Sequence, residues 1–425
     1  MKFSAFATVM VSIAAGAPAL AQEAASGFTF EGSTRVRYET LSAPFRAGRE
    51  GSDQQISWRT RALGEYRADS LTFGAEFFDA RAWLTDEGSV LSSTAINTLE
   101  ILQAYVRADI EGGELQAGRF VMNVGSKRLV GENSFRNHPN TFEGVRGAFT
   151  LAEGVTLDAF YTAPVTRKPG DRASLLDNDH AFDEGDWDTR FWAAHLTRAD
   201  LAPGVDGEVY LYGRNTDAGE DLYTVGARLS GERGAVDFDF EAMWQTGETA
   251  GGLDVASNLV FAEAGYQFEG AWSPRLSGQV IYASGDEDAG DADWNRFNSL
   301  YGLRRGALGQ TGIFGPLDLE NIIAIGARLE VKRGPVNAHV LVQDLSLASD
   351  TDRWRRSGLR DVTGGSGDHV GQLIDTRLLW WVKRDVLRLE VGTAVLFKGD
   401  FAEDAPGAPQ TDDSLYSYVM LTRSF

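Results

Sequence analysis

Arginine carries most of the chemistry available to this sequence. Of 425 residues, 61 are acidic and 40 basic, and the basic set is 34 Arg with six Lys, for a net charge of −21. A guanidinium stays charged at any working pH and grips a carboxylate or phosphate through two parallel N–H donors, which the Lys ammonium cannot do. Arg35, Arg37, Arg59, Arg61, Arg107, Arg119, Arg146, Arg190, Arg228, Arg328, Arg377 and Arg388 fall where apolar and polar residues alternate, and they take the polar phase. Glu31, Glu65, Asp237, Asp239, Glu241, Glu263 and Glu390 share that phase. Such rows do one of two things: they pair across strands as Arg–carboxylate ladders, or they offer fixed positive charge to an anion.

The remaining side chains offer little. With no Cys there is no thiolate nucleophile, disulfide, zinc thiolate or iron–sulfur site. His138, His180, His195, His339 and His369 are scattered without HExxH spacing, so catalysis is not expected and no cofactor is implied. Asp286, Glu287, Asp288, Asp291 and Asp293 form the one candidate for a metal ion. Hard oxygens suit Ca²⁺, but the spacing is not that of an EF-hand and its closing Glu is missing, so a solvated external loop is the expected reading. Net acidity without a basic recognition motif argues against a nucleic-acid partner.

What must position these Arg is a set of strands. Val236, Phe238, Phe240, Ala242 and Trp244 alternate with Asp237, Asp239, Glu241, Met243 and Gln245, and Leu387, Leu389, Val391, Thr393, Val395 and Phe397 alternate with Arg388, Glu390, Gly392 and Ala394. Period-two segments of this kind, beginning near residues 28, 54, 70, 97, 113, 142, 154, 187, 205, 221, 234, 257, 274, 320, 335, 369, 386 and 414, number 18. Short Gly-containing turns such as 111–113, 152–154 and 333–335 alternate with long polar connections such as 125–140, 166–186, 285–319 and 399–413. In lipid a sheet must close on itself, because an open edge leaves backbone groups unbonded. An even number of strands of ~10 residues, turns at one end and loops at the other, describes an all-β transmembrane antiparallel barrel of the outer membrane, with periplasmic turns and extracellular loops. Trp58, Trp83, Trp187, Trp192, Trp244, Trp272, Trp380 and Trp381 sit in or at the ends of strands, where aromatic girdles meet the lipid interface.

Both ends of the chain fit that reading. Lys2, the apolar stretch Val9 to Ala15 and Ala19-Leu20-Ala21 have the order of a secretory leader, giving a signal peptide over 1–21 and one barrel over 22–425. The apolar stretch falls short of the ~20 residues a spanning helix needs. Ser414 to Phe425 is a final strand ending in an aromatic residue, similar to the signal that barrel-assembly machinery reads.

Two blocks carry a family resemblance. Residues 118–147 read GRFVMNVGSKRLVGENSFRNHPNTFEGVRG, and 282–302 read YASGDEDAGDADWNRFNSLYG. The first resembles the GRQ-type strand, GxxRLVG turn and FxGxR of the alginate-export (AlgE-like) outer-membrane barrels, and the second their Asp-rich loop followed by F-[DN]-x-L-[YF]. Phe120 stands where that family often has Gln, and Lys127 where acidic residues are common. The resemblance implies an 18-stranded channel, monomeric, passing an anionic polyuronate such as alginate by passive diffusion, with periplasmic export partners to deliver it. A porin taking up oligosaccharides or small anions is the alternative.

For either substrate the pore-lining residues are expected to be Arg35, Arg37, Arg59, Arg61, Arg107, Arg119, Arg128, Arg146, Arg190, Arg328, Arg377 and Arg388. Fixed cations replace the hydration an anion loses in a narrow lumen without holding it too tightly to leave. The expected constriction is Arg119, Arg128 and Arg146 beside the first block, together with Arg35, Arg37, Arg59 and Arg61 on the first two strands. The connections 125–140 and 166–186 are the candidates for an inward-folding plug.

Overall fold

The computed structural model describes residues 26–86 and 88–425. The leader expected at 1–21 lies outside the described residues. In chain order the elements are β1 (Gly27–Ser42), β2 (Ser52–Ala68), β3 (Leu71–Trp83), β4 (Asn97–Ile110), β5 (Gly113–Phe120), β6 (Phe142–Ala152), β7 (Val155–Thr166), α1 (Arg172–Asp177), β8 (Glu184–Gly185), β9 (Thr189–Ala202), β10 (Val205–Thr216), β11 (Asp221–Arg233), β12 (Val236–Glu248), β13 (Asp254–Gln267), β14 (Arg275–Ala283), β15 (Asp293–Trp294), α2 (Arg305–Leu308), β16 (Ile322–Arg333), β17 (Val336–Ser346), β18 (Arg353–Trp354), β19 (Leu359–Arg360), β20 (His369–Lys383), β21 (Leu387–Lys398), α3 (Asp400–Asp404) and β22 (Ser414–Ser424).

Four of these strands, β8, β15, β18 and β19, are two-residue bridges in loops. The other 18 pair antiparallel with their neighbours in sequence, and β22 returns to β1, with Val36 opposite Leu421 and Tyr38 opposite Val419. The sheet therefore has no free edge, and each sequence-derived strand start lies within three residues of an observed one. This is an outer-membrane β-barrel. At the seam the Phe425 N–H donates to the Gly32 carbonyl at 3.0 Å and the Phe425 carbonyl accepts from the Gly32 N–H at 2.9 Å, while the Phe425 ring stacks on Phe30.

The periplasmic turns are short because a residue in the left-handed region lets the strands reverse without splaying. Asp69, Gly112, Gly154, Gly204, Gly234, Gly334 and Asp385 fill that place. Outward-facing Val, Leu, Ile and Phe of every barrel strand meet the lipid, and Trp58, Trp83, Trp187 and Trp244 mark one interface, with Trp272, Trp380, Tyr66 and Tyr266 at the other. Trp381 departs from the girdle expectation: it takes the inward phase and lies under the Arg388 guanidinium.

The interior is filled by loops. Segment 121–141, between β5 and β6, and segment 284–321, between β14 and β16, fold inward, as the buried Met122, Val130, Phe135, Leu308, Ile313 and Phe314 record. The other candidate for a plug, 166–186, behaves differently. That segment lies along the extracellular wall, where Asn178 brackets Ala82 of β3 with two hydrogen bonds of 2.9 Å and β8 extends β7.

Candidate functional site

The two family-like blocks supply the two inward segments, and they pair with each other inside the barrel. Tyr301 N–H donates to the Leu129 carbonyl at 2.9 Å and Leu303 N–H to that of Lys127 at 2.8 Å. Gly302 makes this approach feasible, since a Cβ there would collide with the Arg128 carbonyl oxygen. The Tyr301 ring wedges against Phe142 and Phe191 on the barrel wall.

Arginines then pin the pair to opposite walls. Arg128 reaches β12, where it pairs with Glu241 at 2.5 Å and Asp239 at 2.8 Å, and its guanidinium lies 3.4 Å from the ring centroid of Phe261. On the other side Arg35 and Arg59, cross-strand neighbours on β1 and β2, both donate to the Ser134 carbonyl, at 2.8 and 2.9 Å. Arg37 donates to the Phe135 carbonyl at 2.5 Å. The Phe135 ring carries two guanidiniums, that of Arg37 at 4.2 Å and that of Arg305 at 3.8 Å, and meets Tyr418 edge-on. Arg305 itself pairs with Glu390 at 2.6 Å and accompanies a short helix, α2, whose Ala307 carbonyl accepts from Gln279 and Gln343 of the wall.

Between these segments and the wall lies a cavity of about 230 Å³ bordered by Phe135, Arg305, Arg328, Glu330, His339 and Arg377. Its wall residues belong to the periplasmic halves of β16, β17 and β20.

Charge is distributed unevenly around the lumen. Among the described residues Arg35, Arg59, Arg328, Arg377 and Arg388 form no ion pair, and each keeps a buried Nε without a hydrogen-bond partner. All five belong to seven neighbouring strands, β16, β17, β20, β21, β22, β1 and β2. On the remaining wall, and across its borders with β2 and β16, Arg and carboxylate cancel: Arg61 with Glu76, Arg107 with Glu65, Arg146 with Asp158, Arg228 with Asp239 and Glu208, and Arg275 with Asp237, Glu263 and Glu330. Buried pairs of this kind hold shape but offer an anion no net charge. One side of the lumen is therefore basic and the other neutralised.

The sequence-derived constriction is only partly assembled. Arg35, Arg37 and Arg59 converge on the inward segment, and Arg61 meets it through Glu132 while also pairing with Glu76 of β3, whereas Arg128 and Arg146 pair with carboxylates of the barrel wall. Arg119 and Arg190 face outward. Arg119 pairs with Glu143 at 2.6 Å and donates to the Asp183 carbonyl at 3.0 Å, and Arg190 pairs with Asp217 at the extracellular rim at 2.5 Å. The cause is the plug: Phe120 and Phe191, fully buried beneath it, mark the inside at these heights, so the apolar-out rule inverts for their neighbours. Phe135 and Arg305 stand outside the barrel strands, in a loop and on the short α2, where no alternation assigns a side; Arg305 follows the second block by three residues.

Among the described residues the carboxylates of the acidic run do not converge. Asp286 is buried beside Asp352 and Arg296, whose guanidinium supplies the positive charge, while Asp288 and Asp291 accept from the backbone of Gly290 and Asp293. Among the described residues no group of three or more His, Cys, Asp or Glu converges as metal ligands.

Among the solved structures that share the fold, three are informative. OccAB3 of Acinetobacter baumannii aligns at 10% identity and a TM-score of 0.62, covering 94% of this chain and 99% of its own. OccK2 (OpdF) of Pseudomonas aeruginosa, in complex with glucuronate, aligns at 12% and 0.61, covering 93% and 98%. OpdK of the same organism, with vanillate, aligns at 11% and 0.61, also covering 93% and 98%. No curated protein matches the sequence. The family described as Alginate export matches residues 27–414. With both family-like blocks folded into one arginine-rich lumen, the chain belongs to the alginate-export family of outer-membrane β-barrels.

Proposed function

We propose that this protein is a passive channel for small organic anions, with carboxylates held in the cavity beside Arg305, Arg328 and Arg377. The observation that carries the reading is the one-sided run of uncompensated arginines facing a lumen that two inward segments have narrowed. A guanidinium whose charge no carboxylate meets gains from an arriving anion, and a row of them passes it on because no single site holds it fully. The cavity has room for one compact acid, and glucuronate and vanillate, the acids found in OccK2 and OpdK, are of that kind. Lipid-facing side chains on every strand support a monomer, and passive diffusion needs no periplasmic partner. Solute gradients, rather than the lumen, set the direction of flow.

A polyuronate is the second reading, favoured by the family match. Against it stand the anchors of both inward segments, on Glu241 and Asp239 at one wall and on Gln279, Gln343 and Glu390 at the other, which leave little freedom to widen.

Planar-bilayer recordings separate the possibilities. Wild-type channels are expected to be anion-selective and to show concentration-dependent block by glucuronate, and Arg328→Gln with Arg377→Gln to bring selectivity close to that of a neutral pore. Cation selectivity in the wild type would sink the proposal. Passage of long uronate chains in a liposome assay, with mono-uronate permeating no faster, would move the assignment to the polymer.

A further inference from the structure

A second cavity lies on the extracellular side of Phe135. It has a volume of about 130 Å³ and is bordered by Arg37, Arg136, Arg304 and Arg356, with Thr311 and Glu39 among its other polar neighbours. Three of the four guanidiniums come from three different loops, and the fourth from β1.

Their charges are only partly met. Arg304 pairs with Asp318 at 3.2 Å and Arg37 with Glu39 at 2.8 Å, but among the described residues Arg136 and Arg356 form no ion pair. Arg356 donates to the Gly315 carbonyl and Arg136 only weakly, at 3.5 Å, to Asn140. Glu39 is already occupied: it accepts from Arg37, from the Tyr416 hydroxyl at 2.7 Å and from the Ile313 N–H. The Thr311 hydroxyl oxygen is buried with no hydrogen-bond partner. Burial, then the neighbouring Arg304, pushes Arg356 down to about 10, and Arg136 is pushed well below its ordinary value by burial and by Arg167, Arg304 and Arg356. These groups repel one another until an anion arrives between them.

Phe135 joins this cavity to the constriction. Of the two guanidiniums on its ring, Arg37 borders the outer cavity and Arg305 the inner one. One aromatic side chain therefore separates two places where a carboxylate gains charge-assisted hydrogen bonds.

We propose that the outer cavity is a second anion station, and that the channel consequently prefers solutes bearing two carboxylates a few bonds apart, one held on each side of Phe135. The inference rests on the anion-channel reading and adds the substrate class. A dicarboxylate engages Arg136, Arg356 and Thr311 while its other end reaches Arg305 and Arg377, whereas a monocarboxylate fills one station at a time.

The test is single-channel block by glutarate and by butyrate, each added on the extracellular side. Wild type is expected to bind glutarate about tenfold or more tightly than butyrate, the size of one charge-assisted contact set. Arg136→Gln combined with Arg356→Gln should remove most of that difference while butyrate block and anion selectivity persist, and Thr311→Val should lower glutarate affinity alone. If the double variant does not insert, Arg136→Lys with Arg356→Lys, which keeps charge but loses the fork, should lower glutarate affinity in part. Equal block by both acids in an anion-selective wild type, or an undiminished glutarate preference in these variants, would overturn the second station. A wild type without anion selectivity would instead overturn the channel reading beneath it.

Discussion

Phe135 shows how much one side chain can organise. It has no charge, yet two guanidiniums rest on its ring and its carbonyl accepts from a third contact of Arg37, so the basic wall and the inward segment are joined through it. Each cation–π contact contributes about 0.5–2 kcal/mol, more where water is excluded. Phe135→Ala is expected to raise single-channel conductance and to weaken the seating of Arg37 and Arg305 by that order; unchanged conductance would place the narrowest point elsewhere. At this scale the sequence was legible for residues whose neighbours alternate. Arg35, Arg37, Arg59, Arg328, Arg377 and Arg388 could be assigned to the lumen from phase alone. What phase could not tell was which guanidiniums were already paired, because Arg146 and Arg377 look alike until Asp158 is seen beside only the first.

Among the elements, the extracellular loops are held by a network that acid should loosen. Segment 284–321 meets segment 347–368 through Arg296 with Asp352 and through Asp318 with Arg355, while Arg304 pairs with the same Asp318 from within the first segment. Burial works against the charge of Asp352, but its bonds to Arg296 prevail and hold its pKa below the ordinary 3.8; Asp318 is lowered in the same way by Arg304 and Arg355. Carboxyls depressed on folding stabilise above their unfolded pKa, and that contribution disappears as pH falls through the folded value. Hydrogen exchange of these two segments should therefore stay slow from pH 7 down to the ordinary Asp range and accelerate only below it, with the strands still protected. Faster exchange already at pH 5 would show that other contacts dominate. Strand existence and order were readable because lipid outside and water inside impose period two. The inward segments were not, since their side chains obey the local shape of a plug, and only the two family-like blocks flagged them.

For the molecule as a whole, the net charge of −21 misdescribes what a solute meets. Acid is spent on pairing one wall and on extracellular loops, and five arginines on the other wall remain uncompensated. Their pull reaches only as far as salt permits, with a Debye length of about 10 Å at 0.1 M and about 3 Å at 1 M. Anion selectivity measured from reversal potentials is expected to be strong in dilute KCl and to decline steeply toward 1 M, whereas selectivity set by pore width alone would not change. The asymmetry also has a stereochemical consequence. A carboxylate held against one wall fixes which flank of its carrier faces Phe135 and which faces His339 and Glu330. Mirror-image acids, equal in charge and size, would present different groups to those side chains, so the lumen is expected to pass the two hands at different rates without any element that moves.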